Sequence, residues 1–498
     1  MAIAALLVAT QLNTAHLLEN RFHPDEALYA TFARTIASGP GHGLLLTHML
    51  VDKPPLAFYL DAASVAVFGS SEFALRLPTL LASLVGVALV YAIGRRVFGR
   101  TAGLAAAWAM TLSPFAIQFS ITVFVDPLLT TWVLLAILLL VRQRPGWAAL
   151  ALALAWATKQ TALLFFPLAI LLGVVRLPAP AQTRAALNFF LRAALPALAG
   201  VILVTALVVA WDQRRGAPIG TYQQGYGDNI ATRLAQPGEL GPRADAIAGM
   251  LRQFTGNDWV SAALLAGLAA LLLFDLGQRS QRAWADWLLA AYVLLYLGGY
   301  WIVSLNLFDR YFLPLVPLLA LLVGRLADRA GAALAGLSQR LEFRLAPRAR
   351  RAWAWALLAA PLVLLAAIVP AVAAANYSFS PIGGDHGAYD GIDDAARFIR
   401  TLPRNSVLYD RWLTWEFDYY LFDRPVEMFY FRDVEVLARN VAMRGRRRPC
   451  YLVVPWWVQD TSLRPDLASA GYNLSLVHQS LRRDGAVSIA LYRLDPAK

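Results

Sequence analysis

Apolar runs of ~20 residues, each enough to cross a ~30 Å hydrocarbon core, recur from Met1 to about residue 375 and then stop. The pattern predicts a polytopic α-helical membrane protein of about eleven transmembrane helices, centred near residues 10, 85, 110, 135, 152, 168, 202, 267, 293, 318 and 364. The fifth and sixth are the hardest to divide. The first is short, begins at Met1 and lacks a small-x-small cleavage site after it, so it reads as a retained helix and not a signal peptide.

Two polar stretches between these runs are too long for tight turns, about residues 20–75 and 213–257. In the first, ALYATFARTIA sets Leu28, Phe32 and Ile36 at four-residue spacing, which predicts an amphipathic helix lying in the membrane interface. VDKPPL follows, where two prolines end any helix before them. The second holds GTYQQGYGDN, a composition suited to a mobile lid over a site. From about residue 385 the period changes. DDAARFIRTL and VEVLARNVAM read as helices, and SVLYD, VEMFYF, CYLVVPW and VSIALYRL as strands. The expected organisation is a transmembrane domain over residues 1–375 and a soluble, extracytoplasmic α/β domain over residues 385–498.

Composition agrees with a membrane chain: 58% of the 498 residues are hydrophobic and 15% charged, with mean hydropathy +0.52. The formal charge of +12 comes largely from arginines in alternate loops: Arg95, Arg96 and Arg100; Arg142 and Arg144; Arg176, Arg184 and Arg192; Arg279 and Arg282; Arg325 to Arg351. Short cytoplasmic loops retain Lys and Arg, so these loops are assigned to the cytoplasm. The loops at 20–75 and 213–257 and the C-terminal domain then lie outside it. This asymmetry accounts for the charge through the lipid bilayer, and no nucleic-acid motif accompanies it. The single cysteine, Cys450, closes no intrachain disulfide.

Candidate chemistry gathers at the ends of the apolar runs. In HPDEALYA, Pro24 suits the first position of a helix, and Asp25 and Glu26 suit its first turn, where each interacts with the helix dipole by ~0.3–1 kcal/mol. Two carboxylates at a membrane boundary also make a candidate general base with a partner. Lys53 is held extended by the proline after it and suits a phosphate; a snorkelling lysine is the alternative. Asp126, in FVDPLL, is either a helix N-cap or a further site carboxylate. Arg310 and Tyr311, in LFDRYFLP, begin a late span, where a guanidinium snorkels or clamps a phosphate. His23, His42 and His48 share the first loop with Asp52. Together with Asp52, His48 is the candidate holder of a divalent metal ion, though no spacing matches a ligand motif. Tyr29, Tyr222, Tyr226 and Trp259 are candidates to stack on sugar rings or to form an interfacial aromatic belt. Lys159 favours a secondary transporter, but the remaining charges gather at one face and no internal repeat is present.

HPDEALYA after the first span, DKPPLAFYL in the same loop, VDPLL at the fourth span, RYFLP at a late span and an α/β tail resemble the superfamily C glycosyltransferases. Within them the resemblance is to the protein O-mannosyltransferases and the bacterial aminoarabinose transferases that modify lipid A. It covers the membrane portion well and the tail loosely, and HPDEALYA followed by DKPPL is its most specific part. The resemblance implies inverting transfer of a sugar from a polyprenyl-phosphate donor to a lipid, glycan or protein acceptor on the extracytoplasmic face. It matches Asp25 to the residue that deprotonates or orients the acceptor hydroxyl, Glu26 to its neighbour, Lys53 to a lysine near the lipid phosphate, and Asp126 to a second site carboxylate. Arg310 and Tyr311 are matched to donor-phosphate contacts. In the aminoarabinose transferases a Glu that helps hold a metal typically precedes that lysine; here it is Asp52, a shorter arm. Such a reaction needs no nucleotide, which agrees with the lack of a Gly-rich phosphate loop. A non-catalytic binder of lipid-linked sugar with the same fold is the remaining alternative.

Overall fold

The computed structural model describes residues 1–15, 17–38, 43–47, 49–177, 183–229, 233–342, 363–375, 383, 387–424, 426–445, 447–458 and 463–497. His42 and His48 lie outside these. The chain divides into two units: Met1–Ala15 with Ile36–Ala375, and His16–Thr35 with Asn376–Lys498. The stretch expected as one loop over 20–75 is therefore split, and its first part packs with the C-terminal residues.

Among its described residues the first unit is built of helices, apart from an isolated bridge between Leu234 and Val303. Its helices are α1 (Ala2–Thr14), the end of α2 (Pro24–Ala37), α3 (Leu56–Phe68), α4 (Glu72–Val97), α5 (Arg100–Thr111), α6 (Pro114–Ser120), α7 (Asp126–Val141), α8 (Pro145–Thr158), α9 (Phe166–Val175) and α10 (Thr183–Arg214). They continue with α11 (Thr221–Asn229), α12 (Pro237–Arg252), α13 (Asp258–Asp275), α14 (Gln281–Ile302), α15 (Val316–Glu342) and α16 (Val363–Ala374). Short 3₁₀ turns precede α9 at Gln160–Phe165 and α15 at Asp309–Leu315.

Among the described residues, five helical runs are long and apolar enough to cross a bilayer: α4, α10, α13, α14 and Asp309–Arg340. The pair α5 and α6, bent by 62° where Ser113 meets Pro114, makes a sixth if it is one span. Six other apolar helices have 10–17 residues. The chain is thus a multi-pass membrane protein. Every predicted centre falls on an apolar helix, and α3 is an apolar helix that the hydrophobic pattern left inside the first loop.

The stretch read as a mobile lid is instead mostly helix. The Asp212 carboxylate accepts from the Thr221 backbone N–H at 2.7 Å and its hydroxyl at 2.8 Å, which fixes the start of α11. Arg215 donates to Asp212 at 2.9 Å and to the Met49 carbonyl at 2.7 Å. A capping box between Gln236 and Glu239 opens α12. Arg243 reaches the Val303 carbonyl at 2.9 Å and the Leu305 carbonyl at 2.7 Å.

In the second unit a five-stranded sheet has the order β2-β1-β3-β5-β4, with β1 Val407–Asp410, β2 Glu427–Tyr430, β3 Cys450–Pro455, β4 Tyr472–Leu481 and β5 Val487–Pro496. β1 pairs parallel with β2 and β3, and β5 runs antiparallel to β3 and β4. Alternation along β1 sends Leu408 to one face, against α17 (Ile392–Ile399) and α18 (Thr414–Tyr420), and Val407 and Tyr409 to the other. That other face is covered by α19 (Val434–Arg444) and α20 (Leu463–Ser469). Both faces are buried, and all four residues of β1 are buried, with the Asp410 carboxylate accepting from the Leu413 N–H and the Thr414 hydroxyl. The helices and strands read from DDAARFIRTL, VEVLARNVAM, SVLYD, VEMFYF, CYLVVPW and VSIALYRL all form; β4, α18 and α20 are additional.

The segment before and within α2 packs on this sheet domain. The Phe22 ring meets Tyr419 edge-on at 4.9 Å, and the Phe22 N–H donates to the Tyr420 hydroxyl at 3.3 Å. Arg34 makes a forked bond to Asp423 with both distances 2.9 Å, donates to the Tyr419 carbonyl and lies over the Phe422 ring. Arg483 reaches Asn20 at 2.6 Å and Asp390 at 2.8 Å. α2 is therefore no helix lying in the membrane interface. Ala27, Ala30, Phe32, Ala33 and Ile36 are all buried, because its small residues admit close neighbours on several sides.

Candidate active site

In the first unit, elements far apart in sequence bring a group of charges together. Lys159 stands where α8 ends and the 3₁₀ turn begins, and its ammonium pairs with the Asp126 carboxylate at 2.5 Å. Both are buried, at 2% and 1% exposure. Asp126 is thus not the N-cap that its place before a proline suggested. Val125 occupies that position and Asp126 is in the first turn. The same ammonium lies over the Tyr311 ring, 4.2 Å from its centre. Lys53 and Arg310 are within electrostatic reach of Lys159, and Asp52 and Asp126 within reach of Tyr311.

Local structure explains each position. The prolines of DKPPL hold Lys53 just before α3, where it is buried and its ammonium bonds Asp52. Gln160 donates to the Asp52 carbonyl at 2.8 Å, which ties this segment to the turn after Lys159. α11 presses on the same carbonyl: a Cβ at Gly225 would collide with the Asp52 oxygen and the Gln160 amide nitrogen. Arg310 spans an aromatic floor, 5.1 Å from the Phe124 ring centre and 4.5 Å from that of Phe308. Asp309 accepts from the Arg310 N–H at 2.6 Å and so starts the turn. The Tyr296 hydroxyl donates to the Tyr311 carbonyl at 2.8 Å. Lys53, Asp126, Arg310 and Tyr311, chosen from separate motifs, therefore share one neighbourhood, and Lys159 joins them.

Asp25 and Glu26 belong to the second unit. The Glu26 carboxylate accepts from the His23 N–H at 3.0 Å, three residues back, which is half of a capping box. The Asp25 N–H donates to the His23 ring at 3.2 Å, and that ring packs edge-on against Tyr389 at 5.9 Å. A further carboxyl that sequence reasoning did not single out is Glu416 of α18. It is 1% exposed, and neither oxygen has a hydrogen-bond partner among the described residues. Burial holds its pKa well above the ordinary glutamate range, reinforced by the carboxylates of Asp410, Asp25 and Asp418.

The remaining candidates have other engagements. Among the described residues no group of three or more His, Cys, Asp or Glu side chains is arranged to hold a metal ion. The Asp52 carboxylate is engaged by Lys53, and His48 lies outside the described residues. Tyr29 is buried beside Phe32, and Tyr222 stacks on Trp156 with ring centres 5.3 Å apart. Tyr226 and Trp259 are exposed.

Known proteins resemble the chain in both sequence and fold. Residues 52–211 match the family model described as dolichyl-phosphate-mannose-protein mannosyltransferase. YkcB of Bacillus subtilis (strain 168) is 37% identical over 90 residues, 18% of this chain and 13% of that protein. The undecaprenyl phosphate-alpha-4-amino-4-deoxy-L-arabinose arabinosyl transferase 2 of Proteus mirabilis (strain HI4320) is 29% identical over 142 residues, 26% of this chain and 25% of its own. The matched stretches thus span at most about a quarter of these relatives. Whole-chain likeness is structural. ArnT from Cupriavidus metallidurans, solved bound to undecaprenyl phosphate, superposes with TM-score 0.62 over 98% of this chain and 97% of that one at 19% identity. The chain therefore shares the fold of ArnT from Cupriavidus metallidurans, and its residues 52–211 match the dolichyl-phosphate-mannose-protein mannosyltransferase family model.

Proposed function

We propose that the chain is an integral-membrane glycosyltransferase that moves a hexosyl or pentosyl group from a polyprenyl-phosphate donor to a lipid, glycan or protein acceptor on the extracytoplasmic face. The observation that carries this reading is the convergence of Lys53, Lys159 and Arg310 beside Tyr311, with Asp126 holding Lys159 in place. Cations pre-set in a water-poor site stabilise negative charge growing on a leaving phosphate better than water does. The bilayer retains the donor's lipid and leaves its sugar at the surface.

In the reaction, the acceptor oxygen bonds to the anomeric carbon as the bond from that carbon to the phosphate oxygen breaks. The sugar inverts and the electron pair leaves with the lipid phosphate. Lys53 and Arg310 take up that charge, with Tyr311 lining the phosphate's place. Asp25 removes the acceptor's proton as general base. Glu26 supports it by closing the first turn of α2 through its bond to the His23 N–H. Asp126 acts through Lys159 and does not itself accept the proton.

The test uses the purified full chain with a panel of polyprenyl-phosphate sugars, following release of polyprenyl phosphate and the mass of the acceptor. Asp25→Asn is expected to abolish transfer while donor binding persists; full activity in that variant rejects the base role. Lys53→Gln with Arg310→Gln is expected to weaken donor binding by about ten-fold or more. Unchanged donor affinity there rejects the phosphate reading.

A further inference from the structure

We propose that the arginine-rich end of the helical unit is a binding site for the headgroup of an anionic phospholipid, separate from the catalytic cluster. Arg95 and Arg96, in the last turn of α4, and Arg142 and Arg144, which flank the turn between α7 and α8, line an open cleft of about 830 Å³ with Tyr91 and Ala92. α7 separates this cleft from Asp126 by its 16 residues, about 24 Å of helix.

The turn that presents Arg142 and Arg144 is fixed. Gln143 between them adopts φ 59°, a left-handed conformation costly for a residue with a side chain. Its amide holds it there by donating to the Gly173 carbonyl at 2.9 Å and the Leu140 carbonyl at 3.2 Å. The two guanidiniums are thereby set on either side of a locked residue. Arg176, at the end of α9, adds to the same field: Arg96 and Arg282 act on it as like charges, and its buried Nε has no partner among the described residues.

None of Arg95, Arg96, Arg142, Arg144, Arg176 and Arg282 forms an ion pair with a carboxylate among the described residues. Like charges gathered without counterions repel, and an anion bound among them removes that cost. A helix end at the bilayer boundary selects the anion. Tyr91 in the cleft and the exposed Trp147 and Leu150 on α8 provide an aromatic and apolar flank for the acyl chains of a lipid. A phosphodiester in the cleft takes forked hydrogen bonds from the guanidiniums.

The experiment measures thermal unfolding of the purified full chain in an uncharged detergent, with phosphatidylglycerol, phosphatidylcholine or inorganic phosphate added. Phosphatidylglycerol is expected to raise Tm by about 3 °C or more, and the other two to leave it unchanged. Arg142→Gln with Arg144→Gln is expected to lose most of that rise, while Arg184→Gln with Arg192→Gln, two exposed arginines of α10, keeps it. An equal rise with phosphatidylcholine overturns the charge selection, and an equal rise with inorganic phosphate overturns the lipid headgroup. An equal loss in both variants reduces the effect to general surface charge and overturns the site. If the double variant fails to fold, phosphatidylglycerol retained by wild type and lost by Arg144→Gln in native mass spectrometry supports the proposal; equal retention overturns it.

Discussion

Lys159 carries two assignments at once, as a buried charge and as a neighbour of Tyr311. Replacing it with Gln leaves Asp126 buried without its partner, and breaking such a pair typically costs ~3–5 kcal/mol. Lys159→Gln is expected to lower the thermal midpoint sharply, and adding Asp126→Asn to recover most of the loss while transfer stays defective. Recovery of both stability and transfer in the double variant would reject a part for this pair in the reaction. Lys159 shows the limit of reading one residue at a time. In WATKQTALL it is merely a charge near an apolar run, and only the partner 33 positions away makes it part of a site. Glu416 was invisible for the same reason, since nothing in TWEFDYY tells that this carboxyl is the buried one. Its unfolded-state proton leaves near the ordinary glutamate value, whereas the folded unit holds the proton to higher pH. Stability from Glu416 is therefore complete at acid pH and is lost as pH rises through the folded value. Glu416→Gln, neutral at every pH, is expected to melt above wild type at about pH 8, with the gap closing toward about pH 4. A gap that does not narrow in acid would contradict the burial of a proton-binding carboxyl.

Helices and strands were largely legible, because periods of 3.6 and 2 are written directly into a chain. Their surroundings were not. Leu28, Phe32 and Ile36 mark one stripe on α2, and the stripe alone does not tell a membrane surface from Tyr419 and Tyr420. Composition alone leaves the 213–257 stretch without structure, whereas Asp212 caps the start of α11 there. Gly225 is a glycine of close approach, not of flexibility, since α11 meets the Asp52 carbonyl there. Gly225→Ala is expected to push α11 off the segment that holds Lys53, lowering transfer by about ten-fold with little loss of fold. Wild-type kinetics would show that α11 and the Lys53 segment are not coupled.

At the scale of the whole molecule, fold and sequence likeness carry different information. The fold is shared with ArnT along nearly the full chain, yet identity at the level of 19% leaves side chains free to differ. The family-model match at 52–211 includes Lys53, Asp126 and Lys159 but ends before Arg310. A site assembled from both sides of that boundary is visible only in three dimensions. Residues 16–35 have a further consequence for anyone recombining this chain with its relatives. They are held by Tyr419, Asp423 and Arg483, so a hybrid built with a single junction near residue 375 gives Asp25 a foreign bed. Two junctions, one on each side of residues 16–35, keep that inheritance together, and the C-terminal half travels with its own stretch of the N-terminus or not at all.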